Sequence, residues 1–320
     1  MTIIFFGVLS WIGIQIFPLE PGTPVKVTIP SGASGTQAIN LLFKKQVISA
    51  PLLFKAFVEL DEVNFTAGTF VFRKHDSYLN VINTLKRPPT WQKLVIPDGW
   101  TLSQIAQAVA KLRGHSATRF LAVANSGKIR SPYEPVGVNN LQGLLYPDTY
   151  FIYPKESNKK ILLTMVDRFV QQANKVGLAN SQKVVGVSPY QAIIVASIVE
   201  KEALRLQDGP KVARVIYNRL HKNMLLQIDA TVHFAIGNSK PLTYKDLTVN
   251  SPYNTYIHKG LPPGPISMPS LRAIKDALSP APGPWLYYVV VNKNGKEAFS
   301  VHYNQQLANS TLAQKAGIGA

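Results

Sequence analysis

The sequence predicts an α+β protein, on three observations. The tetrapeptide Ile29-Pro30-Ser31-Gly32 returns 67 residues on as Ile96-Pro97-Asp98-Gly99, which marks an internal duplication. Both copies continue alike. Ser34 with Gln37 and Thr101 with Gln104 fit the capping box that starts a helix, Ser49-Ala50 and Ser116-Ala117 open a second helical stretch, and the aromatic and β-branched "AGTFVF" and "YPDTYFI" close each copy as strands. The last third of the chain instead carries two long helical patterns and one strand-like run, "WLYYVVV".

The elements follow in order. Residues 1–19, "MTIIFFGVLSWIGIQIFPL", hold no charged side chain and lie at the short limit, about 17 residues, for a membrane span. They are expected to form a membrane anchor or export signal, although no positive residue precedes them and no A-x-A cleavage site follows. Residues 20–90 read as the first strand-helix-helix-strand module, with Pro88-Pro89 as the joint to the second, module-like part, residues 91–155. Asn125 to Asn140, rich in Gly, Ser, Pro and Asn, reads as a loop inserted into the second copy. Modules of this kind suggest a binding scaffold rather than an active site. In "SNKKILLTMVDRFVQQANKVG", Leu162, Met165, Val166 and Phe169 recur at helical spacing and Gly177 ends the run. Ser188-Pro189 then supplies an N-cap and a first-turn proline for the helix that runs into "ASIVEKEA". Pro210 to about Lys222 repeats apolar Val212, Val215, Ile216 and Leu220. Leu261 to Pro269 holds too much proline and glycine for a helix or central strand and is expected to be a rigid surface loop.

Composition narrows the classes of function. The 320 residues exceed the roughly 100–200 of one domain, and a 46% hydrophobic, 16% charged chain is an ordinary globular one. A net charge of +17 and a pI near 9.9 make a surface that attracts polyanions: nucleic acid, anionic lipid or an acidic wall polymer. The basic residues are scattered, with no block longer than Lys44-Lys45 or Lys159-Lys160 and no zinc-finger or RNA-binding signature, which argues against nucleic acid. Cysteine is absent, so disulfides, thiolate metal sites and thiol catalysis are excluded. His221, His233, His258 and His302 are too dispersed for a zinc motif, and no G-x-S-x-G elbow, Walker loop or G-x-G-x-x-G occurs.

Two of the 17 acidic residues, Glu200 and Glu202, end an oily run. Residues two apart on a helix point about 200° away from each other, so the two cannot face one another as a carboxylate pair. Glu202 follows Val199, Ile198 and Val195 by three, four and seven residues, on an apolar stripe that should face the interior. Burial and the negative end of the helix dipole both raise a carboxyl pKa, and a protonated Glu suits donation to a leaving oxygen. The plain alternative pairs it with Arg205 or Arg214. For a second carboxylate across a glycosidic bond Asp229, in a turn after a helix, is the best candidate, with less support for Asp208 and Asp246. Tyr217, Asn218, Gln227, Tyr253, Asn254 and Tyr256 supply the amides and rings of a carbohydrate groove.

"ASIVEKEA", "VIYNRLHKNMLLQIDATV" and "YNTYIHKGLPPGPI", in this order and spacing, closely resemble the endolytic murein transglycosylases, the YceG-like family. "AGTFVF", "LLYPDTY" and the IPxG starts extend the resemblance from about residue 25 to 305. It implies a LysM-like module at residues 20–90, a mixed helical and β catalytic region at residues 91–320, and a single-pass anchor at residues 1–19 in the cytoplasmic membrane, with the catalytic domain facing the periplasm or cell wall. It implies an enzyme that cuts the β-1,4 bond between N-acetylmuramic acid and N-acetylglucosamine within peptidoglycan strands and leaves 1,6-anhydro-muramic ends. The family's essential glutamate maps onto Glu202, with Glu200, Asn218, Gln227, Asp229, Tyr253 and Asn254 as the expected substrate-binding residues. The sugar's own 6-hydroxyl is the nucleophile, so one acid/base residue suffices and no metal or cofactor is implied. Peptidoglycan synthases are the implied protein partners. Gln142 stands where the family carries Glu, Ile228-Asp229-Ala230 where it carries Thr-Asp-Pro, and a family histidine falls near Glu297. Two other readings stay open: a muramidase that pairs Glu202 with Asp229 and uses water, and a wall-binding scaffold without activity.

Overall fold

The computed structural model describes residues 13, 22–30, 32–60, 63, 65, 67–86, 91–153 and 156–318. The expected anchor at residues 1–19, Gly13 apart, and the Pro88-Pro89 joint lie outside the described residues. The chain divides into two compact units, Met1–Lys93 with Phe151–Pro154 and Leu94–Tyr150 with Lys155–Ala320.

In the first unit β1 (Pro24–Ile29) and β2 (Gly68–Arg73) pair antiparallel, with Val27 opposite Phe70, and between them run α1 (Gly35–Lys44) and α2 (Pro51–Leu60). α3 (Tyr78–Lys86) follows. The start of α1 is set locally: Ser34 Oγ accepts from the Gln37 amide and Gln37 Oε1 accepts from the Ser34 amide. Alternation along the strands puts Val27, Ile29, Phe70 and Phe72 on one face, against Ile39, Leu42, Phe54 and Tyr78. Phe54 meets Tyr78 edge-on at 5.0 Å between ring centroids, and the Tyr78 hydroxyl donates to the Ala50 carbonyl, so the ring is buried without an orphaned donor.

The same order recurs in β3 (Gln92–Val95), α4 (Leu102–Ala110), α5 (Ala117–Ala124) and β4 (Thr149–Ile152), with β3 and β4 paired. α4 begins 67 residues after α1 and its capping box, Thr101 with Gln104, is made in the same way. Chain between α5 and β4 replaces the short link of the first copy.

Helices fill most of the remainder: α6 (Asn158–Lys175), α7 (Ser181–Val185), α8 (Pro189–Glu202), α9 (Gly209–His221), α10 (Asp229–Ile236) and α11 (Leu271–Leu278). The antiparallel ribbon β5 (Tyr287–Val290) and β6 (Glu297–Ser300) and the terminal helix α12 (Tyr303–Lys315) complete it. α8 is the central element, packed against α9, α10 and α11. Ser188 and Pro189 start it as the sequence predicts. The expected single apolar stripe is a correction: Ala192 to Val199 are all buried, so α8 is apolar on every side, the signature of a helix enclosed by others.

Two further expectations are corrected. Asp229 does not sit in a turn but is the first residue of α10. Leu261 to Pro269 is not a surface loop, since Ile266, Ser267 and Met268 are buried. A loop can be buried only if its backbone finds partners. Here the Ile266 amide donates to Ser197 Oγ, Ser267 Oγ donates to the Ser197 carbonyl, the Met268 amide donates to the Trp100 carbonyl, and the Gly99 amide donates to Met268. One serine in the middle of α8 and the Asp98-Gly99 turn thus hold the loop inside.

Candidate active site

Glu202 is the last residue of α8 and lies on the wall of a groove of about 880 Å3 in the second unit. Two donors reach its carboxyl. The Tyr288 hydroxyl of β5 donates to Oε2 at 2.9 Å, and the amide of Ala230, one residue into α10, donates to Oε1 at 3.4 Å. Burial pushes the Glu202 pKa above the ordinary carboxyl range. The Tyr288 bond opposes that rise, the Asp229 carboxylate adds to it, and the Ala230 amide and Lys201 pull it back. The carboxyl therefore sits where a C-terminal helix end favours the acid while a hydroxyl and an N-terminal amide favour the anion.

The donors are held by a staple. Arg219 of α9 is buried, and its guanidinium donates to the carbonyls of Leu286 at 2.6 Å, Leu225 at 3.1 Å and Leu226 at 2.7 Å. It also lies 5.1 Å from the Tyr287 ring centroid. One side chain thus ties the start of β5, which carries Tyr288, to the segment entering α10, which carries Asp229 and Ala230. Thr255 adds a second tie: its carbonyl and Oγ1 accept from the Gln227 and Ile228 amides.

The predicted site residues separate into two groups. Glu202, Asp229 and Tyr253 line the groove. Asp229 accepts a short hydrogen bond from the Tyr256 hydroxyl, and the Tyr253 and Phe234 rings lie 4.8 Å apart on the groove wall. Among the described residues Glu200, Asn218, Gln227 and Asn254 are not part of the groove lining, and their side chains bond to neighbouring segments of the fold. Glu200 Oε2 accepts from the Ser270 amide at 2.9 Å and from Ser270 Oγ, at the N-terminus of α11. Asn218 Nδ2 donates to the Gly283 and Trp285 carbonyls. Asn254, fully buried, donates to Leu247 and Val249 and accepts from the Tyr256 amide. Gln227, at φ +49°, offers Oε1 to Arg219 at 3.4 Å.

The sequence reading also missed the facing wall. Gln104 and Gln107 of α4, Asn125, Asn140 and Gln142 line the same groove, so the second module is part of the site rather than a separate scaffold. Gln142 Oε1 accepts from the Leu102 amide at the start of α4, which binds the segment just after the inserted loop to the helix. Nothing local in the sequence marks these amides as groove residues. Tyr288 was hidden for another reason: in "WLYYVVV" a tyrosine reads as one more core residue. Among the described residues no group of three or more His, Asp or Glu is placed to hold a metal ion.

Fold and site define an α+β enzyme with a carboxyl group at a helix end on the wall of an open groove. The chain belongs to the YceG-like family, whose model matches residues 27–311. It is 31% identical to a protein of Bacillus subtilis (strain 168) named endolytic murein transglycosylase, over 87% of this chain and 81% of that one. A Streptococcus pneumoniae (strain R6) protein of the same name is 28% identical over 88% of this chain, which spans 57% of that longer protein. Among solved structures, a yceG-like protein of Listeria monocytogenes superposes with a TM-score of 0.60 at 30% identity, over 90% of this chain and 99% of that one.

Proposed function

We propose that this chain is a lytic transglycosylase of peptidoglycan, cutting the β-1,4 bond between N-acetylmuramic acid and N-acetylglucosamine inside glycan strands, with Glu202 as its one acid/base. The observation that carries this reading is the Glu202 carboxyl on the groove wall, raised in pKa by burial and held by two donors of different kind. The names of the Bacillus and Streptococcus relatives support the reaction class.

In this mechanism Glu202 gives its proton to the glycosidic oxygen as the bond to C1 of the muramic residue breaks. Positive charge grows on that sugar ring, and the Asp229 carboxylate, steadied by Tyr256, supplies negative potential in the groove. The Glu202 carboxylate, now stabilised by Tyr288 and Ala230, accepts the proton of the 6-hydroxyl as that oxygen bonds to C1. The 1,6-anhydro ring forms, no water is consumed, and Glu202 ends protonated for the next turnover. The amide wall of Gln104, Gln107, Asn125 and Asn140 and the Tyr253 ring offer the hydrogen bonds and stacking face that hold a sugar chain.

Digestion of purified peptidoglycan followed by mass spectrometry tests the reading. It expects anhydro-muramic ends, one water lighter than reducing ends. Reducing-end muramic acid would instead establish hydrolysis, the reading favoured by the presence of Asp229 on the same groove. Binding to strands without product at any pH would establish a scaffold. The wider arrangement proposed with this function is an anchor at residues 1–19 in the cytoplasmic membrane, a LysM-like wall-binding role for residues 20–90, and peptidoglycan synthases as partners. Among the described residues no single helix is long and apolar enough to cross a membrane.

A further inference from the structure

The N-terminus of α4 opens onto the groove, which Thr101, Leu102, Ser103 and Gln104 all line. An α-helix leaves its first four amides without intrahelical partners. In α4 side chains take three of the four. The Thr101 amide donates to Gln104 Oε1, the Gln104 amide to Thr101 Oγ1, and the Leu102 amide to Gln142 Oε1 at 2.8 Å. The fourth, that of exposed Ser103, has no partner among the described residues. The first turn carries no acidic side chain, so nothing within the helix offsets the positive end of its dipole.

A second, independent observation points to the same place. Gln142 lines the groove from the segment after the inserted loop, yet it is only 7% exposed. The bond to Leu102 fixes the two ends of its amide: Oε1 is turned to the helix, and Nε2 is buried with no partner among the described residues. A buried donor in that state calls for an explanation. Because Oε1 sits on the amide next to that of Ser103, the two open donors are close neighbours at one helix mouth. Lys201 adds charge. It lines the same groove, and its ammonium would lie 3.9 Å from a Cβ placed on Gly99, two residues before the Thr101 cap. Of the acids nearby, Glu200 is tied to Ser270, and Asp98 is not part of the groove lining.

We propose that the mouth of α4, with Gln142 Nε2, the Ser103 amide and the Lys201 ammonium, is a carboxylate-binding subsite of the groove. Two N–H donors and a cation at a helix N-terminus suit an anion with paired oxygens. A neutral sugar hydroxyl would use the donors but not the charge. The acetamido sugars of a glycan strand are themselves uncharged; carboxylates enter with the lactyl group of the muramic residue, where it is free, or with the peptide stem attached to it. The subsite thus reads what separates this polymer from an uncharged acetamido glycan. Glu202 and Asp229 line the same groove and repel a carboxylate, which confines it to the α4 end.

The inference rests on the groove being the glycan site, and the experiment separates the two. Affinities are measured by calorimetry in the Glu202→Gln background, so that the ligands stay intact. Soluble strands are used in two native forms, one stripped of stems to expose the lactyl carboxylates and one bearing stems, and each again with its carboxyls reduced to alcohols. Salt at about 0.5 M screens the general pull of the +17 surface. Gln142→Glu is the informative change, because it keeps the size and the acceptor for the Leu102 amide but puts a carboxylate oxygen where the open donor stood. It is expected to weaken binding of native strands by roughly tenfold or more, with a much smaller loss on the reduced ones. A loss confined to stripped strands assigns the lactyl carboxylate, and one confined to stem-bearing strands assigns a stem carboxylate. Equal losses on native and reduced strands, or no loss, would overturn the subsite and leave the function standing. Cleavage of strands in the Glu202→Gln background, or no binding of any strand, would overturn the function itself. A second arm leaves Gln142 in place: the reduced strands are expected to bind roughly tenfold more weakly than the native ones. Equal affinity there would overturn the inference even if Gln142→Glu fails to fold.

Discussion

In the proposed mechanism Glu202 holds a proton when the bond breaks and accepts one when the ring closes, and each contact on it favours one of those states. Burial raises its pKa, so activity is expected to fall on the alkaline side with an apparent pKa above that of a free glutamate, near 4.3. A pH profile that falls near the free value would remove the argument from burial. Tyr288 lowers the Glu202 pKa by donating to Oε2. Tyr288→Phe should thus move the alkaline limb up and slow the step in which the carboxylate forms. A profile that keeps the wild-type limb would show that the bond does not act on the acid. Glu200→Gln should cost about 1 kcal/mol of stability by weakening the tie to Ser270 at the α11 N-terminus, while turnover survives. Loss of turnover with unchanged melting would put Glu200 in the chemistry. At this scale Glu202 and Asp229 were legible, because acidic residues are scarce and stand in distinct motifs. The Ala230 donor was not, since a backbone amide leaves no mark in a sequence.

The element that decides the site is the Arg219 staple, because it joins β5 to the entrance of α10 and so sets both donors on Glu202. Arg219→Met would leave the Leu225, Leu226 and Leu286 carbonyls without this partner. We expect a loss of about 3 kcal/mol, read as a Tm drop of several degrees, and at least a tenfold fall in activity at temperatures where the variant stays folded. A folded variant with normal activity would show that β5 and α10 hold their places without it. The capping boxes at Ser34, Thr101 and Ser188 are local, four-residue features, and each starts its helix where the sequence predicts. The Leu261 to Pro269 loop was misread because its partners, Ser197 and Trp100, lie far away in sequence. Arg219 was unreadable for the same reason: its helix pattern shows a polar position, while its burial depends on three carbonyls from two separate segments.

Across the whole molecule, the duplication was legible because both copies keep the same turn, cap and spacing, and residues of the second copy line the groove. That lining is written in long-range contacts, such as Gln142 on Leu102, that no repeat pattern contains. If residues 20–90 serve wall binding, a chain lacking residues 1–90 should lose more activity on long strands than on short soluble fragments; equal loss on both would assign them a folding role. The +17 charge suits the same task, since a basic surface gathers an acidic polymer at low salt. All of this serves one proposed event, a proton passing from Glu202 to the glycosidic oxygen and back. The most direct measurement is release of anhydro-muramic product by Glu202→Gln, made beside a melting curve. Gln keeps the size and can still bond both neighbours, its oxygen accepting from the Ala230 amide and its nitrogen donating to the Tyr288 oxygen, but it delivers no proton, so turnover should fall by roughly 10²- to 10⁴-fold with Tm little changed. Near-normal release of anhydro product by a variant that melts like wild type would contradict the account.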